Sequence, residues 1–265
     1  GPQEFYQAGI EDLGDIATAA SDARAISDSV AILTRLLPTK PLAVTLGDQS
    51  VFEAVVKAVL EHNFDLVIKG THDHDVLKSM IFTPTDWHIL RKCPCPVLLV
   101  KEHAWPEQGN IIAAVNAGSE QEHHLSLNQR VVNRARQMAA MLSAETHLVN
   151  AYPGTPVNIA IEIPEFNPQE YSSTMKHHHL DAVAKLATQF DIAPTHYHVQ
   201  EGMPEDVLPA IAKQLDAEMV VIGTIGRTGL SAAIIGNTAE HVIDRLDCDV
   251  LAVKPANFVC PLQKD

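Results

Sequence analysis

The sequence predicts an α/β protein of two tandem units, each a parallel sheet with helical crossovers. Short apolar, β-branched runs alternate with longer stretches whose apolar residues recur at helical spacing. The run Pro106-Glu-Gln-Gly109 has linker composition, and after it the alternation starts afresh. A shift of 153 positions lays residues 65–101 on residues 218–254, matching Gly70 to Gly223, Thr85 to Thr238, His88 to His241, Cys95 to Cys248, Leu98 to Leu251 and Lys101 to Lys254. The expected boundaries are residues 1–105 for the first unit, 110–256 for the second and 257–265 for a tail.

In order along the chain, Ala23, Ile26, Val30, Leu33 and Leu37 repeat as one face of a helix that Pro38 stops. Residues 41–46 read as a short strand. Asp48 and Ser50 can cap a helix over 51–61, whose apolar face carries Val55, Val56, Val59 and Leu60. A strand at 65–70, a helix at 83–92 and a strand at 96–101 close the first unit. The second opens with a strand at 111–116, a helix at 122–142 and a strand at 146–152. A long loop from Pro153 to Pro168 follows, apolar at Val157, Ile159, Ile161 and Ile163. A helix at 171–190, a strand at 195–199 and a helix at 204–215 come next, with Pro204 suited to a first helical turn. A strand ending at Gly223, a helix from Asn237 and a strand from Asp249 complete the unit.

Composition narrows the function. At 265 residues and 46% hydrophobic, the chain is long enough for two ordinary domains with their own cores. A formal net charge of −14 and no Lys/Arg cluster exclude a nucleic-acid or anionic-membrane surface. No run of about 18 apolar residues and no charged-then-apolar start point to membrane insertion or export, so a cytoplasmic location is expected. Cys93, Cys95, Cys248 and Cys260 are too few and too poorly spaced for a disulfide framework.

The chemistry concentrates between residues 220 and 243. Gly223, Gly226 and Gly236 form the pattern G-x2-G-x9-G between a strand and a helix start. Bare backbone there lets N–H groups approach a ligand, and the helix start adds partial positive charge, which outlines a phosphate site. The alternative is a tight connection that needs glycine only for its turns. In the first unit Asp73, Thr83 and Pro84 stand where Gly226, Gly236 and Asn237 stand in the second. An aspartate repels phosphate and proline removes a donor, so a nucleotide phosphate is expected only in the second unit.

The glycine loop, the closing Asp249-Val-Leu-Ala-Val-Lys254 and the run Phe82-Thr-Pro-Thr-Asp-Trp-His-Ile-Leu-Arg-Lys-Cys-Pro94 together resemble the universal stress protein family, in particular its tandem E-type members, over residues 20–255. The resemblance implies doubly wound domains of the adenine-nucleotide alpha-hydrolase-like kind, with ATP or another adenine nucleotide at the carboxyl ends of the strands. It implies pairing of domains through their last strands, within the chain and in a homodimer. Carried onto this sequence, the nucleotide would meet Val115, Asn116, Gly223, Thr224, Gly226, Arg227, Gly236, Asn237 and Thr238. Two positions depart from the family pattern: Asn116 replaces an aspartate, and Asn237 replaces a serine or threonine, although an asparagine amide can still donate. The first unit also lacks the family's opening strand, helix and second strand. Either it is short or an opening segment has been lost from this sequence.

Other clusters carry less. Thr71-His-Asp-His-Asp75 and His177-His-His179 offer metal ligands, but adjacent helical histidines point different ways, and solvated surface is the expectation for both, with no metal site. Cys93-Pro-Cys95 reads as packing beside a buried strand. No catalytic constellation stands out: no nucleophile with an adjacent base, no P-loop lysine and no magnesium carboxylate. The expectation is a stress-response binding module for a small molecule, with ATP hydrolysis slow or incidental. Two alternatives stand beside it: an amphipathic or lipid-like ligand under the apolar loop at 157–163, and a scaffold whose sites are vestigial.

Overall fold

The computed structural model describes residues 51–71, 84–101, 103, 105, 106, 108–154, 167–224 and 237–263. The helix read at 21–37, the strand at 41–46, His72 to Asp75, the apolar loop at 157–163, and Gly226, Arg227 and Gly236 lie outside them, as does the side chain of Asn237.

In chain order the first unit contributes α1 (Val51–His62), β1 (Val67–Gly70), α2 (Pro84–Lys92) and β2 (Val97–Val100). The second contributes β3 (Asn110–Ala114), α3 (Glu122–Leu142), β4 (Glu145–Tyr152), α4 (Pro168–Thr188), β5 (Tyr197–Glu201), α5 (Pro204–Gln214), β6 (Ala217–Gly223), α6 (Asn237–Arg245) and β7 (Asp249–Val253). All seven described strands join one sheet in the order β1-β2-β7-β6-β3-β4-β5. No described helix is long and apolar enough to cross a membrane.

Alternation along the strands sorts the core into two layers, since successive side chains leave opposite faces. On one face Val220, Ile222, Ile112 and Val250 pack under α1, α2, α5 and α6 through residues such as Val56, Leu90, Ile211 and Val242. On the other Val221, Ile111, Leu148 and Leu251 pack under α3 and α4 through Val131, Val132, Val183 and Leu186. Helices on both faces of a mostly parallel sheet make the doubly wound α/β arrangement that the alternation predicts.

Local chemistry explains where the element ends differ from expectation. α4 begins at Pro168 and not at 171, because the Asn167 side chain accepts from the N–H groups of Gln169 at 3.1 Å and Glu170 at 3.3 Å, with proline in the first turn. The strand read at 195–199 begins only at Tyr197, because Pro194 starts a 3-10 turn over Pro194–His196. Within α5, Pro209 cannot donate to the Glu205 carbonyl, and Arg245 Nη1 from α6 donates to that oxygen instead at 3.3 Å.

The two units meet edge to edge. β2 pairs with β7 antiparallel, in register Val97↔Ala252, Leu98↔Leu251 and Leu99↔Val250, and every other strand pair is parallel. Leu98 and Leu251 are also partners under the sequence repeat, so a pseudo-twofold axis crosses the sheet between them. Contacts repeat about that axis: Lys101 Nζ donates to the Leu246 carbonyl beyond α6, and Lys254 Nζ to the Leu90 carbonyl of α2. Arg91 of α2 also holds Glu240 of α6, Nε to Oε1 at 3.1 Å.

Between β1 and α2 lies a buried ion pair, Lys69 Nζ to Asp86 Oδ1 at 2.7 Å, with side chains 3% and 2% exposed. The repeat places Ile222 and Ala239 at the same positions of the second unit, both buried and apolar. Removing one partner strands a buried charge, whereas removing both does not. Asp86→Ala is expected to cost about 3–5 kcal/mol by urea unfolding. Lys69→Ile with Asp86→Ala, which copies the second unit, should cost less than the single change despite the lost volume.

Candidate functional site

Order reverses between β3 and β6: the chain leaves β3 for β4 on one side, while β6 lies on its other side and leads to β7. α3 then covers one face and α6 the other, so a crevice opens at the carboxyl ends of β3 and β6. The Ala114↔Ile222 register brings the β3 exit, with Val115 and Asn116, beside the β6 exit, with Gly223 and Thr224. α6 begins at Asn237, and Thr238 on its first turn is exposed. Two groups of expected site residues from distant parts of the chain thus converge.

The β3 exit is held by buried asparagines that sequence reading passed over. Asn128 of α3 spans the Asn116 backbone: its Oδ1 accepts from Asn116 N at 3.0 Å and its Nδ2 donates to Asn116 O at 3.0 Å. Asn150 of β4, fully buried, accepts from Ala117 N at 2.8 Å and turns its Nδ2 toward His179 Nδ1 at 3.0 Å. With its oxygen taken by an N–H, the Asn150 amide must donate, so His179 accepts as a neutral ring. His179 lies flat on Tyr152, ring centroids 5.0 Å apart, and burial, then the His178 charge, pushes its pKa down. A Cβ on Gly118 would sit 2.2 Å from that ring, so the loop crosses His179 only as glycine. Polar residues on otherwise apolar faces, Asn128 beside Leu127 and Val131 and Asn150 after Val149, were the available signal.

This lattice leaves the Asn116 side chain exposed at the crevice. Its Nδ2 lies 3.4 Å from His124 Nδ1, which Ser119 Oγ approaches more closely at 2.6 Å. Burial, then the His123 charge, keeps His124 below its usual pKa, so a neutral Nδ1 accepts from the Ser119 hydroxyl. That places a hydroxyl against a base, which the sequence reading did not expect. Ser119 Oγ also faces Gln121 N at 3.4 Å, so the contact ties the loop to the start of α3. Alongside runs a cleft of about 450 Å³ between α3 and α4, bordered by Ala117, Gly118, Ser119, Asp181 and Lys185.

At the β6 exit two expected site residues also serve the fold. A Cβ on Gly223 would lie 2.5 Å from Leu127 Cδ2, so its absence admits α3 against the sheet. Thr224 is tied to the neighbouring strand. Its N–H donates to Val253 O at 2.9 Å and its hydroxyl to the same oxygen at 3.3 Å, which leaves neither donor for a ligand. Thr71 makes the same pair of bonds to Val100 O, at 2.8 and 2.9 Å, in the unit that lacks counterparts of Gly226 and Gly236. The threonine therefore latches the end of a strand in both units. Val115, 8% exposed, sits in the core with its N–H on Val149 O at 3.0 Å.

The other candidates resolve as follows. Cys93 and Cys95 are buried with their sulfurs 3.5 Å apart, in the core layer that holds α1 and α2, which fits packing. The histidine triplet diverges: His179 is buried against Tyr152, while His177 and His178 are exposed.

A model of the universal stress protein family matches residues 7–101 and 112–254. The chain belongs to the universal stress protein family. It is 48% identical over 214 residues to "Universal stress protein E" of Photorhabdus laumondii, over 80% of this chain and 68% of the relative. It is 49% identical over 215 residues to the protein of that name from Escherichia coli K12, over 81% of this chain and 68% of the relative. Among solved structures, a putative universal stress protein from Pseudomonas aeruginosa aligns with TM-score 0.71 at 28% identity, over 97% of this chain and 96% of that one. One from Archaeoglobus fulgidus aligns with TM-score 0.57 at 16% identity, over 94% and 88%, and shows the fold alone. The family model thus matches the chain twice, once in each half.

Two outcomes test this geometry. Gly223→Ala should cost about 1–3 kcal/mol in denaturant unfolding by overpacking Leu127, and adding Leu127→Ala should remove the clash, so that the two effects are not additive. His179 is held neutral, so its contribution is present above the ordinary histidine pKa of about 6.5 and lost as pH falls below it. His179→Gln should flatten that part of the profile of stability against pH.

Proposed function

We propose that the second unit is an adenine-nucleotide binding module of a stress-response protein, and that it works by binding and not by turnover. The observation that carries this reading is the convergence of the β3 and β6 exits at one switch-point crevice. Asn116 stands exposed at the β3 exit, and Thr238 is exposed on the first turn of α6, the helix that follows β6.

The parts suit the ligand chemically. Asn116 Oδ1 has no partner among the described residues and can accept from a ribose hydroxyl or an adenine amino group. The first N–H groups of α6, with Thr238 exposed beside them, suit phosphate oxygens. Gly226, Arg227, Gly236 and Asn237 are proposed as the rest of the phosphate cradle, with Arg227 as the countercharge. Val115, Gly223 and Thr224 act as supports that set the height and spacing of the two exits.

Against turnover stands the makeup of the crevice. The Ser119–His124 contact is a hydrogen bond at a helix start, and among the described residues no carboxylate orients the His124 ring from its other nitrogen. The first unit presents Pro84 at the matching helix start and is proposed to hold no nucleotide.

Binding of ATP to the full chain by equilibrium titration, with native mass spectrometry of the purified protein, tests the reading. A bound adenine nucleotide is expected. Gly226→Asp, which copies the first unit, should weaken binding at least 100-fold, and Asn116→Ala about tenfold, both without loss of melting temperature. Unchanged affinity in Gly226→Asp would remove the glycine loop from the site, and an acylated ligand in the spectrum would replace the nucleotide.

A further inference from the structure

At the opposite end of the same sheet, four metal-binding side chains share one face. Glu145 and His147 open β4 two residues apart, and His196 and His198 stand two apart where the 3-10 turn passes into β5. The Leu148↔Tyr197 register of these parallel strands sets His196 beside His147. Residues two apart on a strand share a face, so strand pairing brings into one patch what the sequence separates by some fifty residues. The patch lies at the amino ends of β4 and β5. The length of β4 puts it roughly 15–20 Å from the nucleotide crevice.

We propose that Glu145, His147 and His196, with His198 at the rim, form a binding site for a divalent cation of the zinc class. One ligand atom from each of the first three lies within 4.8 Å of the others. Glu145 Oε2 is 3.4 Å from His196 Nε2, and the His147 nitrogen with a free lone pair, Nδ1, is 3.3 Å from His198 Nε2. Ligands around a tetrahedral zinc stand about 3.3–3.5 Å apart, so small rotations close the set. Glu145 can supply them, because its side chain is 65% exposed, whereas His147, 7% exposed, is the anchor.

The anchor is oriented from behind. Asn110 Nδ2 donates to Leu215 O at 2.8 Å, which fixes the amide and turns Asn110 Oδ1 to His147 Nε2 at 3.1 Å. Nε2 therefore carries the proton and Nδ1 keeps its lone pair, facing His198 Nε2 at 3.3 Å. A ligating imidazole held by an oxygen acceptor on its other nitrogen is the usual supporting arrangement at metal sites. The rings of His196 and His198 crowd His147 at 4.6 and 5.5 Å between centroids. Imidazole nitrogen with one carboxylate suits zinc and its transition-metal neighbours, and not calcium or magnesium, which require oxygen. Bound there, the cation would tie the edge strand β5 and the turn before it to β4.

The test is zinc titration of the full chain after chelator treatment, by calorimetry with a competing chelator, and cobalt(II) substitution read by visible absorption. Glu145→Gln with His196→Ala changes two accessible side chains and leaves the buried His147 in place. His177→Ala with His178→Ala is the control for exposed histidines. One zinc equivalent is expected to bind tightly, to weaken at least tenfold in the first variant and to be unchanged in the control, with the tetrahedral cobalt bands lost only in the first. Wild-type affinity or unchanged cobalt bands in the first variant would overturn the proposal, as would loss of the tight equivalent in the control. Should the metal-free double variant melt well below the wild type, Glu145→Gln alone carries the same readouts.

Discussion

The antiparallel seam between β2 and β7 is the constraint on which the rest of the molecule depends. A parallel sheet ends in exposed edges, and each unit alone would present its last strand as a row of unpaired backbone groups. Joining the two edges removes both liabilities and makes one sheet with a pseudo-twofold axis at Leu98 and Leu251. The seam is then locked from the sides by side chains that cross it. Lys101 and Lys254 each satisfy a carbonyl at the end of the other unit's helix, and Lys254 is buried deeply enough that its pKa falls to about 8. Buried ammonium groups are costly unless they meet oxygen, and helix C-termini supply oxygen at their partly negative ends. The end of the first unit is pinned as well: His103 lies 3.3 Å from Glu218 and 3.0 Å from the buried Asp249, against β6 and β7.

With the backbone duplicated, the units differ through side chains placed on the same scaffold. The threonine latch at 71 and 224 is common to both and says nothing about ligands. The positions behind it diverge. In the first unit Lys69 and Asp86 neutralise each other in the core under α2, and in the second Ile222 and Ala239 pack there without charge. One unit thus spends a buried lysine and aspartate on its own interior, beside a proline at the helix start. The other keeps its interior apolar and its helix start free of proline.

Much of this was legible in the sequence because period and repetition are local signals. α3 was read to the residue, and most strands to within two positions, since an apolar run cannot be displaced without turning buried faces outward. The pairing of last strands, seen between β2 and β7, was implied by the family resemblance. What could not be read were contacts between residues far apart in the chain. Gly223 belongs to a plausible phosphate pattern, yet its missing Cβ is filled by Leu127 of a helix nearly a hundred residues earlier. Asn128 and Asn150 look like interruptions of apolar faces until the β3 exit is laid between them. The same holds for Glu145, His147 and His196, whose spacing follows no metal motif and whose proximity depends on the register of two parallel strands.

The distribution of polar groups along β4 shows how one strand can serve two ends of a sheet. At its carboxyl end Asn150 and Tyr152 work inward: one bonds the Ala117 backbone and the other supports the ring of His179. At its amino end Glu145 and His147 converge with the start of β5. Between them Leu148 and Val149 are buried on opposite faces, so the strand passes through both core layers with no polar bridge from one end to the other. A dry, close-packed middle transmits displacement but little charge, because polar groups exchange protons and counterions only through hydrogen-bonded contact or solvent. α4 runs along this middle, carrying His179 at the crevice end and packing through Leu186 and Ala187 farther down the same face.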